Sequence, residues 1–217
     1  MTDPIVAIDG PAGSGKSTLA RRLAVELGLP YVNTGQMYRA LALAATREGV
    51  DPSDGRALGA LASRMRFDLD RSLDPPSLRI DGRPPSADLT SPEVESRVSE
   101  VSRHPEVRAI LRDVQRTLIE GGAVVEGRDI GPVVAPDAEV KLFLSAAVEA
   151  RVDRRTSERP RTGDGADALV ARDRADAATN PFVPAHDAIE IDTTTMDADE
   201  VFVSALAVVR SRLEGRD

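Results

Sequence analysis

Cysteine is absent from this 217-residue chain, and so is tryptophan. Without cysteine there can be no disulfide framework, no thiolate metal site and no thiol nucleophile. The two histidines, His104 and His186, are too few for a metal cluster built on imidazole. Aromatic residues make up only 3% of the chain, so the core must be built mainly from leucine, valine, isoleucine and alanine.

Long apolar stretches are also missing. No run of about 18 apolar residues exists, and the N-terminus lacks the basic and then apolar pattern of a signal peptide. We therefore expect a cytoplasmic protein with no membrane partner. The net charge of −8 argues against a nucleic-acid binder, because such proteins neutralise phosphates with an excess of lysine and arginine.

Five short apolar runs, rich in β-branched residues, alternate with longer stretches of helical spacing. The runs span residues 5–8, 31–32, 123–125, 140–144 and 188–191. In the longer stretches apolar residues recur with helical periodicity, and Gly28 and Gly49 stand where two of the helices should end. Strands alternating with helices predict an α/β fold, with a five-stranded parallel sheet covered by helices on both faces.

Two segments interrupt this alternation. Residues 65–80 alternate apolar and polar side chains around Asp74-Pro75-Pro76, which predicts a β-hairpin inserted after the second helix. Residues 157–167 are rich in arginine, glycine, aspartate and proline and have no apolar periodicity. That composition is typical of a mobile surface loop.

A glycine-rich loop directly follows the first apolar run. Residues 10–17 read GPAGSGKS, match the pattern G-x4-G-K-[ST], and open the stretch that carries Leu19 and Leu23. Glycines let the backbone N–H groups turn inward around phosphate oxygens, and the following helix adds its partial positive charge. The lysine can reach the β- and γ-phosphates, and the final hydroxyl can ligate Mg²⁺. The predicted ATP-phosphate site is Gly10, Pro11, Ala12, Gly13, Ser14, Gly15, Lys16, Ser17 and Thr18, with Ser17 as the Mg²⁺ ligand.

The loop predicts binding of a nucleoside triphosphate, and the rest of the chain narrows the class. No N-K-x-D tetrad for guanine is present, and the chain is too short for a motor ATPase. A kinase that brings two polyanions together needs several planar cations and the exclusion of water. The candidate cations are Arg39 and Arg108 in predicted helices, Arg128 after the third apolar run, and Arg151, Arg154 and Arg155 on one helix face.

Four segments together resemble the bacterial cytidylate kinase family. They are IDGPAGSGKST at 8–18, NTGQMYR at 33–39, EGRDIGPVVAPDAEVKLFL at 126–144 and IDTTTMDADEV at 191–201. The hairpin also resembles the small insert that separates this family from adenylate kinases. The resemblance covers nearly the whole chain and implies a single P-loop kinase domain. Its core is 1–60 and 103–217, its monophosphate-binding insert about 61–102, and its short lid about 155–172.

The resemblance also implies roles for matching residues. The catalytic residues are Lys16, Arg128, Arg151 and Arg155. The cytosine would be read by Thr34, Ser99, Arg108 and Asp129, with Tyr38 lining the pocket. The acceptor phosphate would be held by Arg39 and Arg128, and the ribose by Arg172 and Asp176. This chemistry suits CMP, because an aspartate can accept from the exocyclic amine and an arginine can donate to the ring acceptors.

The implied reaction is transfer of the γ-phosphoryl group from ATP to CMP, with dCMP as a second substrate and Mg²⁺ as the metal, in a monomer. Two alternatives stay open: another small-acceptor kinase, such as an adenylate or shikimate kinase, and a non-catalytic nucleotide-binding regulator. Ser99, Arg108 and Asp129 count against the first. The second is favoured by Thr179, which stands where the family pattern leads us to expect an arginine.

Overall fold

The computed structural model describes residues 3–158, 166–179 and 183–215, and within these ranges seven strands form one sheet. The strands are β1 Ile5–Asp9, β2 Tyr31–Asn33, β3 Phe67–Asp70, β4 Ser77–Ile80, β5 Ala123–Glu126, β6 Val140–Ser145 and β7 Ile189–Asp192. Their spatial order is β3-β4-β2-β5-β1-β6-β7, and the five from β2 to β7 in this order are parallel. The predicted five-stranded parallel sheet is confirmed as the central part of this larger sheet.

The predicted hairpin extends the sheet from five strands to seven. Strands β3 and β4 pair antiparallel, and β4 lies parallel to β2, with Ser77 opposite Tyr31. The N–H of Tyr31 donates to the carbonyl oxygen of Pro76 over 2.8 Å. Without the hairpin, β2 would be an edge strand with unpaired backbone groups, and β4 supplies their partners. Local alternation indicates that two strands form, but it does not indicate which sheet edge they join.

Eight α-helices accompany the sheet in the described ranges. They are α1 Lys16–Leu27, α2 Thr34–Glu48, α3 Gly55–Arg64, α4 Pro92–Ser102, α5 Pro105–Ile119, α6 Val148–Glu158, α7 Ala166–Thr179 and α8 Ala198–Glu214. The predicted ends are confirmed at Gly28 and Gly49, both in the left-handed conformation that glycine adopts without strain. Asp197 caps α8 by accepting from the N–H group of Glu200. None of these helices combines the length and the apolar character that crossing a membrane requires.

The two faces of the sheet bury alternate side chains of the same strands. On β1, Val6 and Ile8 pack with α1 and α8, while Ala7 packs on the other face with Ile119 and Ile130. Burial on both faces is the reason why these strands read as continuous apolar runs in the sequence. Because the carboxyl ends of parallel strands meet at one edge of the sheet, the segments after β1, β2 and β5 converge there.

The predicted insert and lid do not coincide with single structural elements. The insert, about 61–102, holds the hairpin, a 3-10 turn at Ala87–Thr90 and helix α4. The lid, about 155–172, begins in α6 and ends in α7, and its residues 159–165 lie outside the described part of the chain. The division into core, insert and lid stays a prediction.

Candidate active site

The phosphate loop connects β1 to α1, and its glycines set its shape. Gly10, Gly13 and Gly15 have φ values of 145°, 77° and 90°. A Cβ atom on Gly10 would lie 2.2 Å from the carbonyl oxygen of Leu144, so the backbone packs too closely there for any side chain. Lys16 is buried, and its Nζ donates to the carbonyl oxygen of Pro11 over 2.7 Å. The packing of the chain itself therefore holds the loop in this shape.

A buried carboxylate lies next to the serine that ends the loop. The hydroxyl of Ser17 donates to Oε2 of Glu126 over 2.9 Å, and the hydroxyl of Tyr31 donates to Oε1 over 2.6 Å. Glu126 is only 3% exposed, and burial together with this carboxylate raises the pKa of Tyr31. A hydroxyl and a carboxylate side by side are hard oxygen ligands, which fit Mg²⁺. Glu126 is therefore a second candidate ligand beside the predicted Ser17.

A second buried carboxylate holds the turn after β5. Asp9 accepts from the N–H groups of Ile130 and Gly131, each over 2.7 Å. Burial raises the pKa of Asp9 from its ordinary 3.8 to about 6, although these two hydrogen bonds oppose the rise. The turn so anchored carries Arg128 and Asp129, so Asp9 fixes the backbone that presents them.

One cavity of about 490 Å³ collects most of the predicted substrate residues. Its lining includes Lys16, Ser17, Thr34, Tyr38, Arg39, Ser99, Arg108, Arg128, Asp129, Arg155 and Asp176. The side chains of Arg172, assigned to the ribose, and of Thr179 lie outside the described part of the chain. Segments that are far apart in the sequence therefore contribute to one space beside the phosphate loop.

The predicted base-reading residues fall into two groups. Arg108 and Asp129 form an ion pair, with Nη2 and Oδ2 only 2.5 Å apart. The hydroxyl of Ser99 donates to Oδ1 of Asp176 over 3.1 Å. Thr34 donates to the backbone carbonyl of Glu126 over 2.8 Å. All four residues line the cavity, and their roles in reading the base stay predictions.

Tyr38 and Gln115 complete the wall beside this ion pair. Burial raises the pKa of Tyr38, Arg108 opposes the rise, and Asp129 adds to it. Gln115 lines the cavity and is only 2% exposed, and its side-chain hydrogen bond to Tyr38 also opposes the rise in the pKa of that residue. The cavity wall is therefore polar here as well as tightly packed.

The three arginines of α6 lie at different sides of the phosphate loop. Arg151 does not line the main cavity; its Nη1 donates to the carbonyl oxygen of Ala12 over 3.1 Å and to Asp173 over 2.5 Å. Arg155 lines the main cavity, and Arg154 lines a smaller one. Arg151 therefore supports the loop from behind, and its predicted catalytic role stays a prediction.

Comparison with known proteins decides the family. The family model described as cytidylate kinase matches residues 6–211. This chain belongs to the cytidylate kinase family. It is 43% identical to the cytidylate kinase of Mycobacterium leprae (strain Br4923), over 98% of both chains. It is 45% identical to that of Acidiphilium cryptum (strain JF-5), over 98% of this chain and 99% of the relative.

Two solved structures are more distant. TT1252 from Thermus thermophilus aligns over 95% of this chain and 98% of its own, with 21% identity and a TM-score of 0.48. Shikimate kinase from Acinetobacter baumannii, in complex with shikimate, aligns over 97% and 94%, with 14% identity and a TM-score of 0.49. The family assignment rests on the family model and on the curated relatives.

The resemblance found in the sequence is thus confirmed. As a cytidylate kinase, the chain is an enzyme that uses ATP as a co-substrate and acts on small nucleotides. Two carboxylates of the site, Asp9 and Glu126, were not predicted, although their positions in the sequence indicate them. Each is the charged residue at the end of a buried apolar strand. Glu95 and Asp173 pair with predicted arginines, but no sequence pattern indicates these two acidic residues. An acidic residue in a helix usually lies on the solvated face.

The raised pKa of Asp9 predicts a pH dependence of stability. The folded cytidylate kinase binds the Asp9 proton more tightly than the unfolded chain, so this group's contribution to stability is lost as pH rises from about 4 to about 6. We expect the free energy of unfolding of the wild type, minus that of Asp9→Asn, to fall by about 2 kcal/mol across this window. Denaturant titrations at several pH values measure this difference. A difference that does not change with pH would contradict the prediction.

Proposed function

We propose that this cytidylate kinase transfers the γ-phosphoryl group of ATP to CMP, giving ADP and CDP, and that it accepts dCMP as a second substrate. The observation that supports this most directly is the shared cavity. It is lined by the Arg108–Asp129 pair and by Arg39 and Arg128, beside the phosphate loop. A nucleoside monophosphate offers the matching features, a base edge with donors and acceptors and a phosphate dianion.

ATP is proposed to bind with its phosphates in the loop. The inward N–H groups and Lys16 stabilise the charge on the transferring group. Mg²⁺ would be held by Ser17 and Glu126, and when bound it neutralises phosphate charge. The adenine is assigned to the smaller cavity, of about 210 Å³, which adjoins the loop at Thr18. Arg154 there donates to Thr193 and to the carbonyl oxygen of Met196, which fixes its guanidinium as a platform for the base.

The acceptor needs no general base, because a phosphate oxygen is already a nucleophile at neutral pH. An oxygen of CMP attacks the γ-phosphorus; the new P–O bond forms as the bond to the β-phosphate oxygen breaks, and that oxygen keeps the electron pair. Arg39 and Arg128 hold the acceptor phosphate, and Arg155 faces the transferring group. The Nη1 of Arg128 donates to the carbonyl oxygen of Gly10 over 3.1 Å, which ties the acceptor site to the phosphate loop.

The cytosine is assigned to the Arg108–Asp129 pair. Asp129 accepts a hydrogen bond from the exocyclic amine, and Arg108 donates to the ring acceptors N3 and O2. The ribose is assigned to Asp176, together with Arg172. We further propose that the enzyme works as a monomer in the cytoplasm.

A panel of acceptors tests the proposal. Release of ADP is measured with purified protein, ATP, Mg²⁺ and each of CMP, dCMP, UMP, AMP and shikimate. We expect kcat/KM to be highest for CMP, with dCMP next. Preference for AMP or shikimate would favour another small-acceptor kinase. ATP binding without turnover on any acceptor would favour a non-catalytic regulator.

A further inference from the structure

Glu95 connects two arginines that belong to different parts of the active site. It lies near the start of α4, and its Oε1 accepts from Nε of Arg39 on α2 over 2.9 Å. Its Oε2 accepts from Nη2 of Arg155 on α6 over 3.2 Å. One carboxylate thus joins the arginine proposed for the acceptor phosphate to the arginine proposed for the transferring group.

All three side chains are largely buried. The side-chain exposures are 8% for Glu95, 14% for Arg39 and 9% for Arg155. Burying a carboxylate costs several kcal/mol unless close cations and hydrogen bonds compensate for the lost water. An exposed ion pair with loose geometry contributes little to stability, whereas this buried cluster holds its three side chains in a definite arrangement. The burial therefore indicates that the spacing between the two guanidinium groups is set by Glu95.

The position of Glu95 relative to the cavity indicates whether it supports the two arginines or occupies the place of a substrate phosphate. Arg39 and Arg155 both line the cavity, whereas Glu95 is not among the described residues that do so. A carboxylate that took the place of a substrate phosphate would project into the cavity beside them. Glu95 also contacts Arg39 through Nε, at the side of the guanidinium, so the terminal amino groups can turn toward a phosphate. Because Glu95 lies outside the lining, we place it behind the two arginines, where it does not compete with the substrate.

We propose that Glu95 is a positioning residue for phosphoryl transfer. It sets Arg39 and Arg155 at the separation needed to hold the acceptor phosphate and the transferring group in line. This inference rests on the proposed function, since it requires both arginines to meet phosphates. It assigns no contact between Glu95 and the substrate, so the effect of Glu95 passes through the two arginines.

The test compares two variants on the same helix. Glu95→Gln keeps the shape of the side chain but removes the charge that both arginines contact. Glu93→Gln is the matched control, because Glu93 is 60% exposed and pairs only loosely, with Arg97 at 3.8 Å. We expect Glu95→Gln to lower kcat for CMP phosphorylation about 10- to 100-fold, the effect expected from the loss of one charge-assisted hydrogen bond. The KM for ATP should change less than about threefold. Glu93→Gln should stay within about twofold of the wild type.

Three further measurements separate the inference from other roles. Thermal melting of each variant shows whether the protein is folded at the assay temperature. Glu95→Asp keeps the charge on a shorter side chain, so its kcat should be higher than that of Glu95→Gln. In an Arg155→Lys background the effect of Glu95→Gln should shrink, because the contact between Glu95 and Arg155 is already altered. If Glu95→Gln instead lowers KM for CMP, Glu95 competes with the substrate and the inference is wrong.

The inference and the proposed function fail in different ways. If the wild type and Glu93→Gln turn over CMP and Glu95→Gln matches them, only the inference is wrong. If the wild type shows no ADP release that depends on CMP, the proposed function itself is wrong.

Discussion

Replacing Lys16 by alanine is expected to lower kcat by about 10³-fold or more while the fold survives. Lys16 is one of only two lysines in the chain, and it is 7% exposed at the end of the phosphate loop. Its Nζ already donates to the carbonyl oxygen of Pro11, so the ammonium is held inside the loop. A fixed cation in a site shielded from water stabilises charge that develops on the transferring group far better than a solvated cation does.

The other lysine provides a matched control. Lys141 is also buried, and its Nζ pairs with Asp187 over 2.8 Å, away from the substrate cavity. Lys141→Ala should lower the melting temperature, because Asp187 loses the partner that holds its pKa below the ordinary value. Its kcat should stay within about fivefold of the wild type at a temperature where it is folded. Near-normal turnover by a folded Lys16→Ala protein would overturn the assignment of the loop.

Discrimination between CMP and UMP is the second large effect that we expect. Cytosine presents an amine where uracil presents a carbonyl oxygen, so the Asp129 carboxylate would accept from CMP but face a second acceptor in UMP. The side chain of Asp129 is only 13% exposed and is held by Arg108 at 2.5 Å, so it cannot easily turn away to water. Leaving a buried polar group unpaired costs about 1–3 kcal/mol, and more when the group is charged. We therefore expect kcat/KM for CMP to exceed that for UMP by about 10²-fold or more.

Asp129→Asn should remove most of this preference. The amide carries a donor as well as an acceptor, so it can meet either base, and the ratio of the two kcat/KM values should fall below about 10. Asp137→Asn, at an exposed position on the segment that follows, is the control and should leave the ratio unchanged. The measurement is the ratio of initial rates with CMP and UMP at low concentrations of each. Equal kcat/KM values for CMP and UMP in the wild type would show that Asp129 does not read the base.

Local patterns in the sequence determined the parts of this protein that depend on neighbouring residues. The phosphate loop was predictable because backbone turning, helix start and lysine position are all encoded within residues 10–17. The five parallel strands were predictable because strands buried on both faces must be continuously apolar. The helix ends at Gly28 and Gly49 were predictable because few other residues adopt the left-handed conformation without strain. Helices α3 and α4 were missed, since their short apolar patterns flank a hairpin and resemble irregular chain.

Only the tertiary structure decided which of the charged residues meet. An arginine on a helix can be recognised as a candidate cation, but its partner lies tens of residues away, and the spacing within one helix carries no information about it. Glu95 lies 56 residues from Arg39 and 60 from Arg155, yet its carboxylate reaches both. Arg151 and Arg155 share a helix face, but packing places the first behind the phosphate loop and the second in the cavity lining. Sequence periodicity reports which side of a helix is buried, whereas the contacts made there depend on how separate elements pack together.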